Sequence, residues 1–137
     1  MSQRFDTRKQ SVLDFINWKE NDEIDLSPKF QRRSVWSPRA QSYLIDTIIR
    51  GKPIPKIFMR QEVNPKTKKT RREIVDGQQR IRTVLSFVED GFKISKVHNK
   101  DVGGLVYSKL DETTKQEILS YEFTVDLLQN MEDGDIY

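Results

Sequence analysis

Hydrophobic and polar positions along this chain switch between a helical period and an alternating one, and the switches mark its elements. Over residues 9–18, Val12, Phe15 and Ile16 recur at helical spacing with Leu13 beside them, which predicts a short amphipathic helix. Residues 23–26 read as a short strand broken by Ser27-Pro28. The stretch Phe30-Gln31-Arg32-Arg33-Ser34-Val35-Trp36 then reads as a polar loop with aromatic anchors. Ser37-Pro38 is a hydroxyl cap followed by proline at the first helical position, and Leu44, Ile45, Ile48 and Ile49 supply the buried stripe of a helix ended by Gly51.

Two prolines in Pro53-Ile54-Pro55 lead into an apolar strand over residues 56–59. Residues 71–75 form its hairpin partner across a loop containing Asn64-Pro65. A helix with Ile81, Val84, Leu85 and Val88 at core spacing follows and runs up to Gly91. Residues 92–97 and 105–106 read as short strands, 99–104 as a loop, 111–120 as a helix and 123–127 as a strand.

A length of 137 residues fits one domain spanning 1–137. Hydrophobic residues at 35% and charged ones at 33% describe a polar chain that still carries enough apolar surface to fold. No apolar run approaches the ~20 residues that span a bilayer, and Met1-Ser2-Gln3-Arg4 does not open a secretory signal, so a cytoplasmic protein without a membrane partner is expected. The chain contains no cysteine, which excludes disulfides, thiolate catalysis and Cys-ligated zinc, and the single histidine, His98, is expected at the surface without a role. The acidic close, residues 131–137, has no terminating signal, and an N-terminal part of a longer protein is expected.

Charge is divided unevenly. Residues 27–82 carry 15 basic and 4 acidic side chains, a balance of +11, whereas residues 1–26 stand at −2 and 83–137 at −6. A segment so basic suits a phosphate- or nucleic-acid-facing surface, and a DNA-binding recognition module without turnover is one reading of it. The run over residues 66–72 reads equally as a solvated hairpin tip.

The candidate chemistry lies in Asp76-Gly77-Gln78-Gln79-Arg80, between a strand and a helix. A phosphate needs positive potential, oriented donors and close backbone approach. Gly77 permits the approach, the helix start contributes its dipole, and Arg80 presents a planar fork for two oxygens. Gln78 and Gln79 add neutral amide donors. Asp76 would repel a polyphosphate unless a cation such as magnesium lay between them. Plainer roles stay open for the same residues: Asp76 capping the helix and paired to Arg80 at the surface. Trp36 and Phe30 suit anchoring better than base stacking, and Pro53 and Pro55 suit rigidity.

Three segments taken together carry a resemblance. Residues 30–36, then Leu44-Ile45-Asp46-Thr47-Ile48-Ile49-Arg50-Gly51-Lys52-Pro53-Ile54-Pro55, then Ile74-Val75-Asp76-Gly77-Gln78-Gln79-Arg80-Ile81 resemble the N-terminal domains of GmrSD-type restriction and anti-phage defence proteins, which look like members of the ParB/sulfiredoxin-like superfamily. The resemblance implies a compact α+β domain, a small mixed sheet with packed helices, that binds, and in several members hydrolyses, nucleoside triphosphate with a divalent metal ion. It implies coupling to a nuclease domain at the C-terminal end of the same longer chain, with DNA as the target. Carried over by position, Asp76 is the catalytic and metal-orienting carboxylate. Gly77, Gln78, Gln79 and Arg80 contact the nucleotide, and Gln31, Arg32 and Arg33 close the pocket from the opposite loop. Arg32 and Arg33 are neighbours, so in extended chain one of them faces the pocket. Phe30 stands where relatives carry tyrosine, and without cysteine the sulfiredoxin reaction itself is excluded.

Overall fold

The computed structural model describes residues 4–26 and 36–129. The chain runs β1 (Arg4–Ser11), α1 (Val12–Glu20), β2 (Ile24–Asp25), α2 (Pro38–Ile49), β3 (Ile57–Val63), β4 (Thr70–Asp76), α3 (Gln78–Val88), α4 (Glu112–Ser120) and β5 (Glu122–Gln129), with a 3-10 turn at Tyr107–Lys109. Among the described residues, no helix is long and apolar enough to cross a membrane.

The strands form one five-stranded mixed sheet in the order β1-β5-β3-β4-β2. β1 pairs antiparallel with β5, β5 parallel with β3, β3 antiparallel with β4, and β4 parallel with β2. The architecture is therefore compact α+β with a small mixed sheet, as the resemblance implies. Alternation along the strands puts Phe123, Val125, Leu127, Ile57, Met59 and Ile74 on the covered face. They join Val12, Phe15, Ile45, Ile48, Ile81 and Phe87 in one core cluster. The other face carries polar ladders, among them Thr7 Oγ1 to Asp126 Oδ1 at 2.9 Å and Lys9 Nζ to Thr124 Oγ1 at 3.0 Å.

Each helix starts for a local reason. Ser11 and Asp14 form a reciprocal capping box on α1, with Asp14 N donating to Ser11 Oγ at 3.1 Å and Ser11 N to Asp14 Oδ2 at 2.9 Å. Ser37 Oγ accepts from Ala40 N at 3.1 Å ahead of Pro38 on α2, and Asp111 Oδ1 accepts from Thr114 N at 2.7 Å on α4.

Three sequence expectations need correction. Residues 9–11 belong to β1, because pairing with β5 extends that strand to the capping serine. Residues 92–97 and 105–106 join no strand. Ile94 and Leu105 bond to each other locally, Ile94 N to Leu105 O at 3.1 Å, and the loop between them is held by side chains of α2. The polar network that holds it gathers on Asp46, which accepts from Arg50 Nε at 2.9 and 3.0 Å and from Asn99 Nδ2 at 2.9 Å. His98 is part of this arrangement and not a free surface side chain: its Nδ1 lies 2.8 Å from Ser42 Oγ, and its ring meets Tyr43 edge-on.

Candidate functional site

The turn of interest begins with a break in the sheet register. Met59 pairs with Ile74 but Phe58 pairs with Asp76, so Val75 is an extra residue in β4 and bulges the strand just before it ends. A bulge re-aims the side chains that follow it. Asp76 emerges exposed, whereas Gly77 and Gln78 are buried and Gln79 and Arg80 half-buried. Gln78 turns inward, its Nε2 donating to Ile74 O at 2.9 Å and to Val75 O at 3.0 Å. The Gln78 side-chain amide expected to meet a phosphate is thus spent on carbonyls at the bulge, and what Gln78 offers an anion is its backbone N–H.

Gly77 holds φ +103°, in the region that L side chains rarely adopt. A Cβ there would sit 2.6 Å from Ile57 Cδ1 and 3.2 Å from Arg80 Nη2, so backbone, strand β3 and guanidinium meet at a spot only glycine fits. No side chain caps α3, and no acidic residue lies in its first turn. Its N-cap glycine therefore offers no side-chain acceptor to the first N–H groups, and no acidic side chain within the first turn offsets its positive dipole end.

Arg80 Nη2 donates to Lys56 O at 2.9 Å, which pins the guanidinium against the start of β3. Its Nε is buried without a partner among the described residues. Arg60 and Arg72 also bury an unpartnered Nε, but each has a carboxylate within reach: Arg60 has Glu73 at 3.2 Å, and Arg72 has Glu23 at 3.6 Å. Arg80 has none among the described residues. Neither plain role for Asp76 is realised, since it does not cap α3 and forms no ion pair with Arg80.

Arg80 also lines a groove of about 300 Å³ formed with Trp36, Tyr43, Thr47, Pro53 and Pro55. Tyr43 is 63% exposed, an aromatic face left open on α2. Trp36 is half-buried and packs on the core while lining this groove, so anchoring and lining coincide. Tyr121 donates its hydroxyl to Lys52 O at 2.7 Å, and burial raises its pKa. That bond fixes the chain leading into Pro53 and Pro55. Sequence reasoning missed the groove, although Ser42, Asp46 and Arg50 at i, i+4 and i+8 on α2 signal that its polar side is engaged.

The profile described as GmrSD restriction endonuclease, N-terminal domain, matches residues 12–135. The chain belongs to this GmrSD N-terminal domain family. That places it with restriction proteins, in agreement with the resemblance carried by the Asp76 turn. No curated protein and no solved structure matches the chain.

Within this GmrSD N-terminal domain the structure brings Asp76, Gly77, Gln78, Gln79 and Arg80 together at the mouth of α3. Gln31, Arg32 and Arg33 lie outside the described residues. A nucleotide fits the turn on two observations: a glycine whose missing Cβ leaves the approach open, and a half-buried Arg80 with a buried, unpartnered Nε and no carboxylate partner among the described residues. The described residues contain no group of three or more His, Asp or Glu side chains that would cage a metal ion. Asp76 alone would supply one ligand, and a divalent ion there would take its remaining positions from phosphate oxygens and water.

Proposed function

We propose that the domain binds a nucleoside triphosphate at the Asp76–Arg80 turn and hydrolyses it, as the sensing or regulatory part of a DNA restriction or phage-defence protein. The observation that carries this is Arg80: a guanidinium without a counter-ion among the described residues, beside an uncapped helix start and under a glycine that keeps the mouth clear. The triphosphate lies across the mouth, where the backbone N–H groups of α3, the Gln79 side chain and Arg80 meet its oxygens. Its base and sugar enter the groove lined by Tyr43, Trp36 and Pro53. Such a groove falls at the lower bound of roughly 300–1,000 Å³ for small-molecule sites, which suits part of a nucleotide and leaves the phosphates outside.

Phosphoryl transfer asks a protein mainly to position the reactants and to offset developing charge. Arg80 takes the second task. Asp76 takes the first, orienting the attacking water and holding one position of a metal ion. A magnesium or similar divalent ion, when bound, neutralises the charge between that carboxylate and the phosphates. Arg32 and Arg33, with Gln31, would add further phosphate contacts, as the resemblance implies. Turnover would then be passed to a C-terminal nuclease domain of the same longer protein, with DNA as its target.

Calorimetric titration with each of the four triphosphates plus magnesium, on wild type and on Arg80→Ala, tests the reading. Saturable binding by wild type and none by the variant is expected. An absence of heat with every triphosphate on wild type would sink it. A second reading, a DNA-binding recognition module without turnover, draws on the +11 balance of residues 27–82. It predicts affinity for duplex DNA that falls steeply with salt.

A further inference from the structure

The basic segment does not spread its charge evenly over the fold. On the strands its arginines are neutralised: Arg60 by Glu73 at 3.2 Å and Glu62 at 3.6 Å, Arg71 by Asp25 at 3.0 Å, and Arg72 by Glu23 at 3.6 Å, with the Arg72 guanidinium also 4.1 Å above the Trp18 ring. Between β3 and β4 the pattern reverses. Lys66, Lys68 and Lys69 are all exposed, and among the described residues none has a carboxylate within 4.0 Å.

These lysines stand on a turn that is already ordered. Asn64 Oδ1 accepts from Lys66 N at 2.9 Å and Thr67 N at 3.2 Å, Asn64 N donates to Lys69 O at 2.9 Å, and Lys68 N donates to Asn64 O at 2.7 Å. Lys68 adopts φ +63°, a left-handed conformation that glycine or asparagine takes at lower cost. Strain of this kind points towards function when the strained residue brings something its cheaper substitute lacks. Here it brings a third unneutralised cation.

We infer that the β3–β4 hairpin tip is a DNA grip, with Lys66, Lys68 and Lys69 each meeting a backbone phosphate. The inference rests on the DNA reading above and is independent of the nucleotide reading. A two-stranded ribbon has the width of a DNA major groove, and fixed cations without large apolar neighbours suit a polyanion better than a membrane surface, which also asks for buried apolar side chains. Beside the turn, the exposed apolar residues are Val63 and the small ring of Pro65. Lys66 and Lys69 also line the concavity at the base of the tip, where Glu23 and Glu62 are already paired to Arg72 and Arg60.

Fluorescence anisotropy with a labelled duplex, over roughly 50 to 200 mM salt, reads the contact directly, since each lost phosphate contact lowers the log-log slope by about 0.9. The variant K66Q/K68Q/K69Q should lose about 2.7 of that slope and bind roughly tenfold or more weakly at the low-salt end. A charge-matched control, K93Q/K100Q/K109Q, should stay within about twofold of wild type at the same salt. Lys68→Gly separates a structural from a binding role: relief of the left-handed strain should raise the melting temperature while DNA affinity falls. Wild type that binds DNA with a slope the triple variant leaves unchanged would overturn the grip and keep the DNA reading. Wild type that binds no duplex at low salt, or binds only anionic vesicles, would overturn both.

Discussion

Replacing Gly77 with alanine tests the construction of the mouth, because two independent costs meet at that residue. An L side chain at φ +103° occupies a sparsely populated region, which costs about 1–3 kcal/mol. Its Cβ would also press to 2.6 Å from Ile57 Cδ1, the end of a fully buried side chain that must shift within the core to make room. Overpacking of this sort adds about 1–3 kcal/mol, so a total of about 4 kcal/mol is expected. Gly51 supplies the control: its φ is +70° but nothing lies within 4 Å of its ideal Cβ. Gly51→Ala should therefore cost only about 1 kcal/mol, the conformational part alone. Urea unfolding followed by circular dichroism resolves the two, since a difference of about 3 kcal/mol moves the midpoint by about 1–2 M for a domain of this size. The same Cβ lies 3.2 Å from Arg80 Nη2, so nucleotide affinity should fall with stability in the Gly77 variant and not in the Gly51 variant. Equal destabilisation by the two, within about 0.5 kcal/mol, would refute the steric argument.

Three further outcomes follow from the same geometry. Asp46→Ala should destabilise by about 1–3 kcal/mol, because it strips the buried Asn99 amide and the Arg50 guanidinium of their shared acceptor, and hydrogen exchange should rise first in residues 95–102. Gln78→Leu should cost about 1–3 kcal/mol by leaving the Ile74 and Val75 carbonyls without their donor, and a variant as stable as wild type would show that the bulge does not depend on it. The Asp111 carboxyl is held below its ordinary value by the Thr114 backbone N–H it accepts from, so its contribution is present above the ordinary aspartate value of about 4 and is lost as pH falls through the lowered one. Asp111→Asn keeps a cap that does not titrate, so melting temperatures of variant and wild type should diverge only below about pH 4, and a pH-independent difference would contradict this.

Local pattern alone determined a good part of this protein. The helical spacing of Leu44, Ile45 and Ile48, the Ser37-Pro38 start and the apolar runs around residues 57 and 74 placed α2, the β3–β4 hairpin and α3, because burial of one face leaves a periodic trace in the chain itself. The Asp76-Gly77 turn was legible for the same reason: a strand changes to a helix there, and glycine marks the change. What lay beyond the sequence depended on residues far apart in the chain. β1 reads Arg-Phe-Asp-Thr-Arg-Lys-Gln-Ser, without an alternating apolar pattern, and is a strand only because β5, more than a hundred residues later, supplies the ladder and the Thr7 and Lys9 partners. Gln78 looks like a phosphate donor until the bulge at Val75 presents two carbonyls to it. The groove beside Arg80 exists because α2, Pro53 and Pro55 converge there. Which faces are buried is written in short-range spacing, but which group satisfies a given donor, or which charge goes unanswered, is settled only when distant segments are packed together.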